Sequence, residues 1–189
     1  MYSFNLFNCF SIEFQYKILY FFYGYEGINI LLKVTPSSIM VKILKQFGAS
    51  IGKDVRIQSP LIIHNADQLK PIYQNLTIQN DCYIGRDCII DLMGKIEIRS
   101  NSTLSHRVVL NTHTDVGNSP LKNKELKKSK GDITIGEGAY IGTCVTILEG
   151  VAIGTNTIIG ASSLVNKSIP DNERAFGVPC KMIKTPENI

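Results

Sequence analysis

Aliphatic residues recur at every sixth position over most of this chain. The recurrence begins near residue 51, and two polar stretches interrupt it, at 64–75 and 114–132. The recurring positions are Ile51, Ile57, Ile63, Ile78, Ile84, Ile90, Ile98, Leu104, Leu110, Ile135, Ile141, Ile147, Ile153, Ile159 and Val165. A fixed period of this kind is typical of repeat architectures, in which each repeat forms one structural unit.

Small residues and glycines form a second pattern on the same period. Small or compact residues follow four positions after many of the aliphatic ones, at Val55, Cys82, Cys88, Ser102, Val108, Ala139, Val145, Val151, Thr157 and Ser163. Glycine directly follows six of the aliphatic positions, at Gly52, Gly85, Gly136, Gly142, Gly154 and Gly160. We expect these glycines to form tight corners, since glycine adopts positive φ at no steric cost.

The two patterns together predict a coil of three short strands, with each six-residue repeat forming one side of a triangular prism. About five such coils stack at roughly 4.8 Å, and each coil buries its inner face against its neighbours. A β-sandwich fits less well, because its strands alternate with period two and turn every 8 to 12 residues or so.

The segments before and after the coils follow other patterns. A helix is expected within residues 36–50, with Ser37 or Ser38 as its N-cap and Gly48 as its stop. Its apolar face comprises Ile39, Ile43, Leu44 and Phe47. We expect three parts: an N-terminal helical segment (1–48), a β-helix domain (49–169) with an extruded loop (114–132), and a C-terminal tail (170–189).

The N-terminal 35 residues are expected to form one or two helices. No run of about 18 apolar residues occurs there, so a spanning helix is not expected. The aromatic cluster 20–25 leaves two alternatives open. We favour packing on a neighbour or over the open end of the coils, and the other alternative is contact with a membrane surface.

Composition sets limits on partner and compartment. The net charge of the 189-residue chain is only +4, which does not indicate a nucleic-acid-binding protein without a patterned basic face. The 5 cysteines include no CxxC pair, and we expect reduced thiols in a cytoplasmic protein, with Cys82 and Cys88 buried.

The stretch "ITIGEGAYIGTCVTILEGVAIGTNTIIGASSLVNKSIP", followed by "AFGVPCKMIK", resembles the hexapeptide-repeat acyltransferases. The resemblance covers roughly residues 43–184 and is closest to O-acetyltransferases of surface polysaccharides and small sugars. It implies an all-β fold, the left-handed parallel β-helix. The left hand comes from the resemblance, because parallel crossovers are usually right-handed.

The resemblance also implies a reaction, the direct transfer of an acetyl group from acetyl-CoA to a hydroxyl, with no metal. His113, where the regular wall gives way to the long loop, stands at the place of the family's catalytic histidine. A histidine suits the role of general base because its pKa is near neutral. His64 and His106 are interpreted as surface or packing residues.

Three further polar residues are candidates for the active site. Asp115 and Asn111 are each two residues from His113, and residues two apart in an extended segment point the same way, so either can orient the ring. Asp91 is expected to contact the sugar, because several relatives have Asn or Asp near this position. Leu92 and Met93 follow it here.

The resemblance implies an acetyl-CoA site along the last coils and the tail. Its residues are Tyr140, Gly142, Thr143, Ala161, Asn166, Lys167, Lys181 and Lys184. Backbone groups near Thr143 and Ala161 would bind the amides of the pantetheine arm, and Tyr140 stands where many relatives have tryptophan. Asn166 and Lys167 would lie at the adenosine end. Lys181 and Lys184, as point charges, would face the phosphates. In this family three prisms pack around a threefold axis with each site between two subunits, which implies a homotrimer.

Other functions remain open at this point. A serine or antibiotic O-acetyltransferase would share the scaffold and the base, and a non-enzymatic scaffold would bind no acetyl-CoA. A β-helical carbonic anhydrase would bind zinc through three convergent histidines. The spacings of His64, His106 and His113 are not multiples of the repeat, which disfavours such a zinc site.

Overall fold

The computed structural model describes residues 12–66, 70–123, 125 and 127–183, and it arranges the repeats in three β-sheets. The first sheet contains β1 (Ser50–Ile51), β4 (Leu76–Ile78), β7 (Ile96–Ile98), β12 (Ile133–Ile135) and β15 (Ala152–Ile153). The second contains β2 (Arg56–Ile57), β5 (Tyr83–Ile84), β8 (Thr103–Leu104), β13 (Tyr140–Ile141), β16 (Ile158–Ile159), β18 (Arg174–Phe176) and β19 (Lys181–Met182). The third contains β3 (Leu61–His64), β6 (Cys88–Asp91), β9 (Val109–Leu110), β14 (Thr146–Ile147) and β17 (Leu164–Val165).

The chain visits the three sheets in turn, so it winds as a parallel β-helix. Strands of successive turns pair in parallel with the aliphatic positions aligned, as in Ile90 with Leu110 and Leu110 with Ile147. Within the described ranges, the antiparallel pair in these sheets is β18 with β19, where the tail folds back.

The interior is a stack of the recurring aliphatic side chains. In the second sheet, Ile57, Ile84, Leu104, Ile141 and Ile159 are each 0% exposed. All the other recurring positions are also buried, which confirms the inward orientation predicted from the period. Burial of this apolar surface, coil against coil, is the main favourable contribution to folding.

The small residues fill the space near the corners. All of them are buried, and the hydroxyls among them are hydrogen-bonded to the backbone: Ser102 Oγ donates to the Gly136 carbonyl at 2.7 Å and Thr157 Oγ1 to the Pro170 carbonyl at 2.6 Å. Cys82 and Cys88 are buried free thiols, as predicted. Burial raises the pKa of Cys88 to about 11, so this thiol is protonated and inert.

The role expected for the glycines that follow the aliphatic positions is wrong. Positive φ falls instead on corner residues such as Asp54 (53°), Asn101 (61°) and Asn156 (54°), and Asp and Asn tolerate this conformation better than most residues. The glycine is needed because the coils approach closely. A Cβ added to Gly136 would lie 2.5 Å from the carbonyl carbon of Gly154 in the next coil.

Two helices cover the start of the β-helix. Helix α1 (Ile12–Leu32) bends at Gly24 and packs against β3 and α2, with Ile28 and Leu32 fully buried. Helix α2 (Ser37–Gln46) packs against β1 and β2. In the part of the chain that is described, neither helix is long and apolar enough to cross a membrane.

The N-cap expected for α2 is not formed by a serine side chain. Pro36 occupies the N-cap position, and no side-chain cap hydrogen bond is present. The hydroxyl of Ser37 instead accepts a hydrogen bond from the backbone N–H of Ile57 at 2.8 Å. This serine therefore ties the helix to the first coil.

Ile159→Ala is expected to lower the free energy of unfolding by about 2–5 kcal/mol, because a fully buried side chain leaves a cavity between stacked coils. The neighbouring Ile158, 39% exposed on the same strand, is the matched control, and its replacement by Ala should cost about 1 kcal/mol or less. Urea unfolding of both variants measures the difference. Equal losses would contradict the inward orientation of position 159.

Candidate active site

The long loop leaves the β-helix as a hairpin. After β9 the chain forms β10 (His113–Thr114), which pairs antiparallel with β11 (Ser129–Lys130). A hydrogen bond from the Gly131 N–H to the Thr112 carbonyl at 3.0 Å closes the base of the hairpin. His113 is therefore the first residue of the strand that departs from the regular wall.

His113 contacts a buried carboxylate of the preceding coil. Its Nδ1 lies 2.6 Å from Oδ2 of Asp91, and the two side chains are 21% and 5% exposed. Because the carboxylate is an acceptor, the contact requires the proton on Nδ1 and leaves Nε2 free to accept one. The ring is thus in the tautomer of a general base.

Asp91 is the centre of a hydrogen-bond network. Its carboxylate accepts from Asn65 Nδ2 at 2.6 Å, Thr112 Oγ1 at 2.7 Å, the Thr112 N–H at 2.9 Å and the Met93 N–H at 3.3 Å. Burial acts to raise the pKa of Asp91, but the hydrogen bonds from Asn65, His113, Thr112 and Met93 outweigh it and leave the pKa below its usual value. The carboxylate is therefore ionised at neutral pH.

The two residues expected to orient the ring have other partners. Asn111 donates from Nδ2 to the backbone carbonyl of His113 at 2.8 Å. Asp115 lies at the surface, where it accepts from the Gly117 N–H at 2.9 Å and pairs with Lys128 at 3.2 Å. Asp91, which was expected to contact the sugar, is instead the residue against the imidazole.

A cavity of about 450 Å³ lies next to this network, between α1 and β3. It is lined by Tyr23, Tyr25, Glu26, Asn29, Lys33, Ile62, Ile63, His64 and Asn65. Asn29 donates from Nδ2 to the Ile63 carbonyl at 3.3 Å, and its Oδ1 is buried with no hydrogen-bond partner among the described residues. Asn65 joins the wall of the cavity to the Asp91 network.

The residues expected at acetyl-CoA are distributed over two edges of the prism. We define the His113 edge as the turns that follow β6, β9, β14 and β17, and the Thr143 edge as the turns that follow β13 and β16. Asn166 and Lys167 follow β17 and so lie on the His113 edge, two coils beyond β9. Gly142, Thr143 and Ala161 lie on the Thr143 edge.

The remaining donor-site candidates lie on the second sheet and its extension. Tyr140 is 47% exposed there, and Lys181 is an exposed residue of β19. Ile158 and Phe176 are also exposed on this sheet, at 39% and 53%, so its outer surface is partly apolar. Lys184 lies outside the described residues.

Three polar residues of the site were not predicted: Asn65, Thr112 and Glu149. Glu149 Oε1 accepts from Ser129 Oγ at 2.6 Å and from Thr114 Oγ1 at 3.1 Å, and so contacts both strands of the hairpin. The repeat carried a signal for it, because Leu110 and Ile147 stack and the residues two positions later therefore lie on the same edge.

The histidines do not form a metal site. No group of three His, Cys, Asp or Glu side chains suited to a metal ion occurs within the described ranges, which include His64, His106 and His113. His106 accepts a hydrogen bond at Nδ1 from the Arg86 N–H at 3.0 Å, and His64 lies beside the cavity. This arrangement does not fit a zinc site of the carbonic anhydrase kind.

Comparison with known proteins agrees with the geometry. The family model described as bacterial transferase hexapeptide (six repeats) matches residues 132–167. The galactoside O-acetyltransferase of Escherichia coli (strain K12) is 32% identical over 142 residues, which cover 75% of this chain and 66% of that protein. The galactoside O-acetyltransferase of Lactococcus lactis subsp. lactis (strain IL1403) is 32% identical over 170 residues, covering 84% and 75% of the two chains.

The chain belongs to the hexapeptide-repeat acyltransferases. A solved galactoside acetyltransferase in complex with coenzyme A has the same fold, with a TM-score of 0.71 at 28% identity over 84% of this chain and 77% of that one. The resemblance seen in the sequence is thereby confirmed. This acyltransferase spans about two thirds of the length of its E. coli relative.

Asp91→Asn is expected to destabilise the protein at neutral pH by about 1–3 kcal/mol, because buried donors lose their ionised acceptor. A lowered folded pKa contributes stability that is present above the unfolded pKa of about 3.9 and is lost as pH falls through the folded value. The gap between the variant and the wild type should therefore narrow below about pH 4. Denaturant unfolding over a pH series measures it.

Asp54→Asn is the matched control, since Asp54 is an exposed corner residue whose positive φ asparagine also tolerates. We expect it to leave stability at neutral pH within about 0.5 kcal/mol of the wild type. A gap for Asp91→Asn that stays constant down to about pH 2 would contradict the assigned network.

Proposed function

We propose that this acyltransferase transfers an acetyl group from acetyl-CoA to a hydroxyl of a sugar or a polysaccharide precursor, with His113 as the general base. The contact between Asp91 and His113 at the base of the hairpin is the observation that carries the proposal. It leaves Nε2 of the ring as an acceptor, at 21% side-chain exposure. The polar cavity between α1 and β3 is linked to this pair through Asn65, which lines the cavity and donates to Asp91.

The residues of the network suit direct transfer. Nε2 of His113 takes the proton of the acceptor hydroxyl as the hydroxyl oxygen bonds to the thioester carbonyl carbon. Asp91 stabilises the imidazolium that results. As the carbon–sulfur bond breaks, Nε2 returns the proton to the sulfur. When bound, acetyl-CoA supplies the acetyl group already activated as a thioester.

The donor site is expected on the Thr143 edge and the adjacent part of the second sheet. Gly142, Thr143 and Ala161 offer backbone groups for the amides of the pantetheine arm, and the exposed faces of Tyr140, Ile158 and Phe176 offer apolar contacts. Lys181 is exposed on this sheet, and Lys167 is exposed on the His113 edge, where it would meet the donor of a neighbouring subunit; both can meet phosphates as point charges. These residues fit the chemistry of the donor.

The positions of the two edges support a homotrimer. Because the Thr143 edge and the His113 edge are different edges of one prism, a donor bound along the first reaches a His113 most directly on a neighbouring subunit. The galactoside acetyltransferase that was solved with coenzyme A has the same fold.

We further propose that the β-helix has five coils and is left-handed, and that the chain divides into the three parts 1–48, 49–169 and 170–189.

The cavity between α1 and β3 is the proposed acceptor site. Its lining combines aromatic rings with charged and amide groups, which suits a ligand with several hydroxyls. The unpartnered Oδ1 of Asn29 is an acceptor for one of them. Asn65 connects this wall to Asp91, and through it to His113. The galactoside O-acetyltransferases among the relatives agree with a sugar acceptor.

We also propose that the exposed aromatic side chains of α1 contact a membrane surface. Phe21, Phe22 and Tyr23 of α1 are 81%, 70% and 65% exposed, and Tyr23 also lines the cavity. A lipid surface covering these rings would remove apolar area from water. It would also bring a sugar presented at that surface to the mouth of the cavity.

His113→Ala is expected to lower kcat/KM by a factor of about 10²–10⁴, because the hydroxyl loses its base. The measurement is coenzyme A release with galactosides, other sugars, oligosaccharides, serine and hydroxyl-bearing antibiotics as acceptors. Glu137→Gln, a change at an exposed residue in the turn after β12, away from both the His113 edge and the Thr143 edge, is the control and should retain activity. Turnover of His113→Ala at the wild-type rate would disprove the assignment.

Asn29→Leu is expected to raise the KM for the acceptor about tenfold, the cost of one hydrogen bond, and to leave the KM for acetyl-CoA unchanged. Gln74→Leu makes the same kind of change at an exposed amide away from the cavity and should alter neither constant. An unchanged acceptor KM in Asn29→Leu would place the acceptor elsewhere.

A further inference from the structure

Glu149 links the hairpin of β10 and β11 to the coil that follows it in the chain. It lies in the turn after β14, whose Ile147 stacks on Leu110 of β9. Its Oε1 accepts hydrogen bonds from Ser129 and Thr114, which are cross-strand partners. The next cross-strand pair is His113 with Lys130. One carboxylate oxygen thus holds both strands of the hairpin directly beside the proposed base.

The hydrogen bonds from Ser129 and Thr114 do not account for the second carboxylate oxygen of Glu149. Oε2 is buried and has no hydrogen-bond partner among the described residues. Two neutral hydroxyl donors on Oε1 would be served equally well by a glutamine, whose amide oxygen is also an acceptor. A buried oxygen that carries charge is costly unless a positive charge compensates it. The nearby group that gains a positive charge during transfer is His113.

We propose that Glu149 is a positioning residue for the transfer reaction. Its Oε1 holds the base of the hairpin so that His113 stays against Asp91, and its charge favours the imidazolium that forms when His113 takes the proton. The inference rests on the proposed role of His113. Glu149 itself touches neither the acceptor nor the donor in this scheme.

The charges around His113 come from three successive coils. Asp91 of β6 contacts Nδ1, and Glu149 approaches from the turn after β14. On the hairpin, Asp115 pairs with Lys128, and Lys130 faces His113 across the strands. The hydrogen bond from Ser129 is the main cause of the lowered pKa of Glu149, with smaller contributions from Thr114 and His113, so the carboxylate is ionised at neutral pH.

Glu149→Gln separates the charge from the hydrogen bonds. The amide keeps an acceptor for Thr114 and Ser129 but removes the negative charge, so protonated His113 is less favoured and its pKa falls. The acid limb of the kcat/KM profile should move to lower pH by about 0.3–1 unit, with kcat reduced about threefold to tenfold. The KM for acetyl-CoA should stay within about twofold.

A direct titration keeps the test independent of turnover. The imidazole resonances of His113, His64 and His106 are followed by NMR against pH in the wild type and in Glu149→Gln. Only the His113 midpoint should fall. Glu137→Gln is the matched control, because it removes an exposed negative charge in the turn after β12 and should shift neither the titration nor the acid limb.

A double variant tests whether the hydrogen bonds to Glu149 hold the hairpin in place. Thr114→Val combined with Ser129→Ala removes both hydroxyls and keeps the charge of Glu149. We expect kcat to fall about tenfold or more with no shift of the acid limb to lower pH. This result would separate loosening of the hairpin from loss of charge.

The outcomes distinguish the two proposals. If His113→Ala is inactive and the His113 titration in Glu149→Gln is unmoved, the inference about Glu149 is overturned and the proposed base stands. If His113→Ala retains wild-type turnover, the proposed base fails first. A lowered midpoint for His113 alone, with the control unchanged, supports the charge role.

Discussion

The stacking of one coil directly on the next is the constraint on which the rest of this molecule depends. Parallel strands of neighbouring coils lie at a spacing of about 4.8 Å, which leaves room for one layer of inward side chains per coil. The recurring aliphatic residues fill that layer and are almost fully buried. At the corners the backbones approach so closely that Gly136 admits no Cβ toward Gly154. The spacing between coils therefore sets the positions of the site residues relative to one another.

The site is formed where the stacking is broken. The backbone groups of a regular wall are already paired between coils. The hairpin of β10 and β11 leaves the wall after β9, and its base is held by polar contacts instead of aliphatic ones. Asp91, His113 and Glu149 come from three successive coils and meet at one edge because stacking superimposes their turns.

The proposed base and the backbone groups proposed for the donor lie on two different edges of the prism. The proposed acceptor cavity lies at the start of the β-helix, between α1 and β3, and the proposed base follows β9 in the middle of it. The backbone groups proposed for the donor lie later in the chain and on another edge. This separation agrees with the proposed homotrimer, in which one subunit would supply the proposed base and its neighbour the donor.

The sequence by itself determined the β-helix, its inward residues and the place of His113, the proposed base, at the start of the hairpin. The six-residue period can be read without knowledge of the tertiary structure, because each inward position is defined by its neighbours along the chain and by the coils next to it. The break at the hairpin was equally visible, since it interrupts that period at His113. The corner glycines were also visible, although their reason, close approach of the coils, became clear only from the stacked backbones.

Only the tertiary structure decided the partners of His113. Asp115 and Asn111 are nearer to His113 in sequence, yet the turn directs one to Lys128 and the other to a backbone carbonyl. Asp91 and Glu149 are far away in sequence and reach the hairpin because coils before and after it stack against it. Asn65 and Asn29 depend on how α1 lies across β3. Which residues meet across coils depends on the pairing register of the strands and on the path of each turn. Neither can be read from the spacing of residues along the chain.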